Sequence, residues 1–363
     1  MTNTNGFHSA KEGIYFNTIK DIQNELRITI SEFEPEQLAV GNSSERIQRN
    51  MEKNMRRVII TGATGTIGTA LINSLIEKNT EVLIFCHEGS LRNSIIPDNP
   101  LITKKNYNLH QLCDIENDTG KTYDVLYHFA WEGTTGQFRN DMYLQNQNVK
   151  YTLDAVRIAH KFGCKRFIGA GSQAEYGRTE EKLKANTPAF PETGYGYAKL
   201  CAGQMSRHLA HELGIEHIWV RILSVYGPND YRNSLIMYTI EKMIANDPPS
   251  LTKCEQKWDY LYSFDAANAF ILIGENGVDG KIYVLGSGTV RPLKEYVFEI
   301  QQIVNPTCKI KFGAIPYSNN QVMHLQADIS ELNCDTGFSP VISFDNGIRE
   351  ILQYDFQIRK TYK

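Results

Sequence analysis

Nothing in this chain of 363 residues has the length of apolar run that a membrane demands. Runs such as RVII (57–60) and IWVRIL (218–223) fall far short of the roughly 20 apolar residues a helix needs to cross a bilayer, so no membrane partner is expected. The first residues, MTNTNGFHSAKEG, lack the apolar core of a secretory signal, and a cytoplasmic address is the resulting expectation. The seven cysteines form no C-x-x-C pair and no ligand-like cluster, which argues against a disulfide framework and against a metal site. Charge of one sign is also missing: 38 basic and 41 acidic residues leave a formal net charge of −3. No broad field is therefore available to gather nucleic acid, and an anionic small molecule has to be held by a few local cations. Repeats and low-complexity tracts are absent.

What is present is apolar material, 41% of the residues, enough for one large domain or two interlocked ones. Residues 1–55 stand apart as an N-terminal extension ending in ERIQRNMEKNMRR. Ile19, Ile22, Leu26 and Ile28 within it have loosely helical spacing, so a docked helix and an unstructured extension both stay open. From Arg57 short apolar runs alternate with longer amphipathic ones: VIITG, a helical stretch, EVLIFC, DVLYHFA, a helix over about 144–162, KRFIGAG, a helix over about 197–213, then IEHIWVRIL. That alternation predicts an α/β class, a doubly wound Rossmann-type parallel sheet occupying 56–227. Beyond Gly227-Pro228 the pattern loosens. SLIMYTIEKMIAND and KEYVFEIQQIV read as helices and KIYVLG as a strand, so 228–363 is expected to form mainly a smaller substrate-binding lobe, with some segments returning to the core.

The sharpest local feature is GATGTIG, residues 62–68, placed directly after a strand and opening a helix. Gly62 permits the tight turn, Gly65 lets backbone approach a pyrophosphate, and Gly68 allows close helix packing. Thr64, Thr66 and Ile67 supply the surrounding backbone, and the first amides of the helix face the phosphate charge. A dinucleotide is the expected ligand. The strand EVLIFC ends without the carboxylate that usually meets the adenosine ribose, and His87, Ser90 and Arg92 follow it. An arginine fork matches a ribose phosphate, so NADP(H) is favoured and NAD(H) stays possible, with Glu88 as a substitute carboxylate and Arg92 also readable as a solvated loop charge. Asp114 is placed to take the adenine amino group, and the backbone of His128, Phe129 and Ala130 to line the cofactor. A turn aspartate and a packed histidine are the plainer alternatives.

Tyr195 and Lys199 are four residues apart at the start of a helix, and that spacing puts both on one face. An ammonium nearby favours the phenolate of a tyrosine that is otherwise a poor acid or base at neutral pH, a pairing suited to hydride transfer at a carbonyl or alcohol. Ser172, at the end of the KRFIGAG strand, can donate to the substrate oxygen. Each feature alone is common; in this order after a dinucleotide loop they reinforce one another.

GATGTIG, the segment Ser172 to Gly177, Tyr195 to Lys199 and RILSVYGP (221–228) resemble the ordered landmarks of extended short-chain dehydrogenases, the NAD-dependent epimerase/dehydratase family, over roughly residues 56–355. The resemblance implies that Tyr195 is the acid/base, Lys199 its partner and Ser172 the carbonyl-side donor. It also implies that the substrate is a nucleoside-diphosphate sugar and that the protein is a homodimer. Relatives that dehydrate carry threonine, aspartate and glutamate where this chain has Ser172, Gln173 and Ala174, so dehydration is not expected even with Glu175 adjacent. Trp258 stands where the family has a diphosphate arginine, which moves that contact to Lys257, Arg232 or Arg221. Ser224 stands where many epimerases have asparagine. Trp131 and Thr134 follow the fourth strand, where they can touch nicotinamide and sugar, and Tyr226 is a further substrate candidate; Trp131 reads equally as a packed loop aromatic. The strings FGAIPYSNNQVMHLQADIS (312–330) and TGFSPVISFDNGI (336–348) are similar to bacterial nucleotide-sugar 4-ketoreductases. The expected activity is therefore NAD(P)-dependent reduction of a 4-keto-6-deoxy nucleotide sugar, with an NAD-dependent 4-epimerase as the rival and a cofactor-binding protein without turnover behind it.

Overall fold

The computed structural model describes residues 55–361, and the reading made of the N-terminal extension lies outside them. Seven strands form one parallel sheet: β1 (Arg57–Thr61), β2 (Glu81–Cys86), β3 (Ile102–Asn106), β4 (Val125–His128), β5 (Arg166–Ser172), β6 (Glu216–Ile222) and β10 (Ile282–Leu285). Their spatial order is β3-β2-β1-β4-β5-β6-β10. Because the order reverses between β1 and β4, a crevice opens outside the carboxyl ends of these two strands, the place where open α/β sheets hold ligands. The fold is a Rossmann-type doubly wound α/β sheet, as the alternation of apolar runs predicts.

Alternation along each strand sets the two layers. Val58 and Ile60 of β1 face one side, packing with Leu71, Ile72 and Leu75 of α1 (Thr66–Glu77) and with Ala266, Phe270 and Ile273 of α5 (Ser263–Asn276). Ile59 faces the other side, with Phe85, Leu126, Ala155, Ile158 and Phe167, beneath α2 (Met142–Lys161). The third helix, α3 (Gly194–Glu212), packs beside α2. It can come close to the sheet because Gly203 faces Trp219 of β6: a Cβ there would lie 2.8 Å from the indole. Each fully buried Leu, Ile or Phe in these layers contributes about 1.5–3 kcal/mol.

The C-terminal third has its own core, built from Ile236, Met237 and Ile240 of α4 (Leu235–Ile244), Tyr296, Val297 and Ile300 of α6 (Leu293–Val304), and Ile348 and Ile351 of α8 (Phe344–Thr361). Short strands stitch it together: β7 (Ser224–Tyr226) with β9 (Tyr260–Tyr262), and β8 (Lys257–Trp258) with β11 (Arg291–Pro292). The chain then uses β10 to complete the main sheet beside β6, and α7 (Ser330–Thr336) packs on α5.

Two histidines are sealed in this fold. His128 lies between the hydroxyls of Thr61 (2.8 Å) and Thr152 (3.4 Å). His217 stacks between Phe167 and Trp219 and meets the Ser206 hydroxyl at 2.9 Å. Burial lowers them to about 3 and about 4, below the ordinary value of about 6.5. A depressed folded value means that the native state binds fewer protons than the unfolded chain below pH 6.5, so the stabilisation is complete above that pH and is lost as pH falls through 4 and then 3. At pH 5 each ring costs about 2 kcal/mol relative to pH 7.5. Urea unfolding should show a lower midpoint at pH 5, with a smaller drop for His217→Gln; identical drops in the two proteins would refute a neutral His217.

Candidate active site

The site grows from the carboxyl ends of β1, β4 and β5. After β1 the chain turns at Gly62, whose φ of 74° is left-handed and whose hypothetical Cβ would lie 2.5 Å from the Ala130 nitrogen at the end of β4. Only glycine lets the two strand ends meet so closely. Helix α1 then starts at Gly65 with no capping side chain and no acidic residue in its first turn. By contrast Asp141, Thr193 and Ser234 cap α2, α3 and α4. Uncapped amide N–H groups at a helix start suit an anion.

A trench runs over this turn in two parts. The inner cavity, about 310 Å³, is lined by Gly62, Gly65, Thr66, Ile67, Gly68, Phe129, Trp131, Thr134, Ser172, Tyr195 and Lys199 together with Ile222, Leu223 and Val225. The outer cavity, about 190 Å³, is lined by Thr64, His87, Ala130, Trp131 and the apolar group Tyr107, Leu109 and Leu112. A glycine-floored trench with an apolar outer end and a buried ammonium at its inner end fits a dinucleotide: the glycine turn and α1 would take the pyrophosphate, and the Tyr107–Leu112 wall the adenine.

Arg92 reaches over the same turn, donating to the carbonyls of Thr64 (2.7 Å) and Asn229 (2.9 Å), while Ser90 caps its own short helix by accepting from the Arg92 amide. Asp114 is not where the sequence placed it. A 3-10 turn over Leu109–Asp114, started by reciprocal bonds between Asn108 and Gln111, carries it to an exposed position away from the outer cavity, and the apolar wall takes its place. The ring of His128 is in the core; its neighbours Phe129 and Ala130 reach the trench.

At the inner end, Thr193 caps the Gly196 amide, so α3 begins early enough to put Tyr195 and Lys199 on successive turns of one face. Lys199 is buried. Its Nζ donates to the Ala170 carbonyl at 2.7 Å and lies 3.6 Å from the centre of the Trp131 ring. Burial lowers this ammonium to about 7, and the carboxylate of Glu175 partly opposes the shift. Trp131 is held by Gln145, which accepts from its indole at 2.9 Å, and it meets Tyr195 edge to face. Tyr195 is half-buried. Burial moves its phenol above the ordinary value, while the Ser172 hydroxyl and the Arg139 guanidinium pull in the other direction. Lys199, bonded to Ala170 and facing Trp131, lies 5.8 Å from the Tyr195 ring centre, and burial is the largest influence on the phenol.

Ser172 is set by an anchor behind it. Glu175, fully buried, accepts from the Ser172 amide (2.8 Å), the Trp219 indole (3.0 Å) and Arg221 Nε (2.7 Å). Arg221 therefore does not face a substrate. It is buried against Glu175 and lies over the Tyr176 ring. Tyr226 is likewise in the lobe core, its hydroxyl directed to the Phe344 carbonyl. Arg232 pairs with Glu241 in solvent, and Lys257 is exposed on β8; neither lines the trench. Trp258 donates to the Ser224 hydroxyl at 2.7 Å, so the two departures from the family pattern contact each other beside the cavity residues Leu223 and Val225. Gln173 opens the short helix after Ser172, half-buried. Unforeseen in the sequence is Arg139, whose guanidinium lies 4.3 Å from the Tyr195 ring centre. The stretch 133–141 has no periodicity, and tertiary contacts, among them the bond from the Gly194 amide to Asn140, bring it to α3.

Among the described residues no group of three or more His, Cys, Asp or Glu side chains could hold a metal, and no helix is long and apolar enough to cross a membrane. The chain is similar to CDP-abequose synthase of Salmonella muenchen, 24% identical over 82% of this chain and 97% of the relative. It is equally similar to dTDP-4-dehydro-6-deoxyglucose reductase of Escherichia coli, 24% identical over 84% and 98%. The solved structure of UDP-glucuronic acid 4-epimerase from Bacillus cereus, with UDP-glucuronic acid and NAD, matches at a TM-score of 0.73 and 19% identity over 83% of this chain and 99% of that one. Residues 58–286 match the NAD dependent epimerase/dehydratase family. That match spans the sheet from β1 to β10, and the chain belongs to this family of nucleotide-sugar enzymes.

Proposed function

We propose that the protein reduces the 4-keto group of a nucleoside-diphosphate 4-keto-6-deoxy sugar, with Tyr195 as proton donor. The observation that carries the reading is the convergence of Tyr195, Ser172 and Lys199 in the one cavity floored by the glycine turn. When bound, NADPH supplies the hydride. Ser172 would donate to the ketone oxygen, and Tyr195, whose phenol burial moves further above its ordinary range, would give that oxygen its proton as the alcohol forms. Lys199 would hold the nicotinamide ribose from its seat on Ala170. The dTDP-4-dehydro-6-deoxyglucose reductase relative, which matches along more than four-fifths of this chain, supports reduction over the alternatives.

The preference for NADP(H) over NAD(H) rests on the loop after β2, which offers Arg92 and Ser90 and has no carboxylate at the strand tip. A 4-epimerase is the second reading, favoured by the epimerase fold neighbour; it would use the same three residues to remove and return the hydroxyl proton. A cytoplasmic homodimer belongs to the proposal too. Large exposed side chains on α2 and α3, Tyr143, Tyr197 and Met205, are the surface a second copy would cover.

Absorbance at 340 nm tests the reading. The protein is incubated with NADPH, or with NADH, and a panel of CDP-, dTDP-, GDP- and UDP-linked 4-keto-6-deoxy sugars. Stoichiometric loss with one sugar, faster with NADPH, is expected. No loss with any sugar, together with isomerisation of an ordinary nucleotide sugar, would replace reductase by epimerase.

A further inference from the structure

We infer that Arg139 reads the substrate's negative charge, taking an oxyanion that the substrate carries, phosphate or carboxylate, beside Tyr195. The inference extends the proposed function and borrows from it the probes below. Four other arginines around the site and lobe are already committed to carboxylates: Arg178 to Glu192, Arg221 to Glu175, Arg232 to Glu241 and Arg291 to Glu299. Arg139 has no carboxylate within 4.0 Å among the described residues. Its Nη1 donates to the Thr134 carbonyl at 2.8 Å, which leaves most of the five N–H donors of a guanidinium for a ligand.

Its position is as telling as its freedom. Thr134 and Tyr195, both met by its guanidinium, line the inner cavity. The segment carrying it is tied down: the buried Gln145 amide donates to the carbonyls of Gly133 and Phe138, each at 2.9 Å, and Asn140 accepts from the first residue of α3 at 3.0 Å. A half-buried guanidinium on a braced loop is a preorganised anion site, because less side-chain freedom is lost when the ligand arrives. Lys199, the cation on the inner cavity's wall, is already engaged by Ala170 and Trp131 and, in the proposed function, by the nicotinamide ribose, whereas Arg139 sits beside that wall against Thr134 and Tyr195. An anionic substituent entering this end of the trench therefore finds its counter-charge at Arg139, and a substrate without one loses that contact.

Calorimetric titration of the NADPH-loaded enzyme, wild type against Arg139→Gln and Arg139→Lys, tests the assignment. The probes are CDP, dTDP, GDP and UDP, then UDP-glucuronate against UDP-glucose, and finally inorganic pyrophosphate. Removing one charge-assisted contact should weaken the recognised anion about tenfold to a hundredfold in Arg139→Gln, with Arg139→Lys in between. Loss across all the nucleotides assigns the phosphates and agrees with the proposed function; loss for UDP-glucuronate alone assigns a sugar carboxylate, keeps the inference and overturns the 6-deoxy part of that function. Nucleotides and UDP-glucuronate that all bind wild type and Arg139→Gln within twofold of each other overturn the inference and leave the proposed function standing. Pyrophosphate binding that depends on Arg139, with no nucleotide bound by either protein, keeps the inference and overturns the nucleotide-sugar reading. Equal loss of NADPH affinity in Arg139→Gln would show a structural role and also overturn it.

Discussion

Replacing Tyr195 by phenylalanine should lower turnover about 10²- to 10⁴-fold while leaving cofactor affinity within a factor of about two. Of Ser172, Tyr195 and Lys199, the phenol is the one acid that stays protonated well above neutral pH and can still yield its proton to an alkoxide, since a serine hydroxyl is too weak an acid and Lys199 is lowered to about 7. Losing the hydroxyl leaves the nascent alkoxide without its proton, a defect that belongs to the transition state and so appears in kcat more than in KM. The ring stays, and with it the edge-to-face contact with Trp131 and the seat for Arg139, so the fold should be unharmed. Stopped-flow turnover and NADPH titration of the same preparation decide the matter. Turnover equal to wild type would remove Tyr195 from the chemistry and, with it, the proposed mechanism.

Glu175→Leu should be the most destabilising single change in the site, by about 3–5 kcal/mol, because it strands the Arg221 guanidinium in a dry interior. Side-chain exposures of 3% for Arg221 and 1% for Glu175 leave no water to take over the lost partner. Pairing it with Arg221→Met should recover much of the loss, since a well-packed apolar pair replaces a buried ion pair at little net cost. Turnover should behave differently. The double variant still lacks the acceptor that holds the Ser172 amide, and the charge that supports the Lys199 ammonium is gone. Its activity should therefore stay depressed although its stability returns. Urea melts and turnover of the two singles and the double form the cycle; additive stabilities, or full activity in the double variant, would contradict the anchoring role.

The parts of this molecule that were legible in the sequence are those whose signals are local. The glycine turn, the Tyr195–Lys199 spacing and the apolar runs of the sheet each lie within a few residues, and they were enough to predict the fold class and to nominate the three residues that the fold brings to one cavity. Arg221 was misplaced because the nearly continuous apolar run of β6 does not say which face each side chain takes, and its partner Glu175 is 46 residues away. Asp114 was misplaced because the 3-10 turn before it consumes the residues that an extended strand would have used. Arg139 was missed for a third reason: its meaning comes entirely from tertiary contact, with a loop carbonyl and an aromatic ring 56 residues downstream.

The last strand of the sheet also bears on how the chain folds. β6 ends at Ile222 and its outer neighbour β10 begins at Ile282, so the sheet cannot close on that side until the intervening lobe segment has been made and looped back. Parallel pairings of such long sequence separation form late and slowly. Until then β6 is an open edge, a template for pairing with another chain. A ribosome-bound or truncated chain ending near Gly227 would therefore be an aggregation hazard rather than a free-standing cofactor domain, and synthesis past Leu285 is the step that retires it.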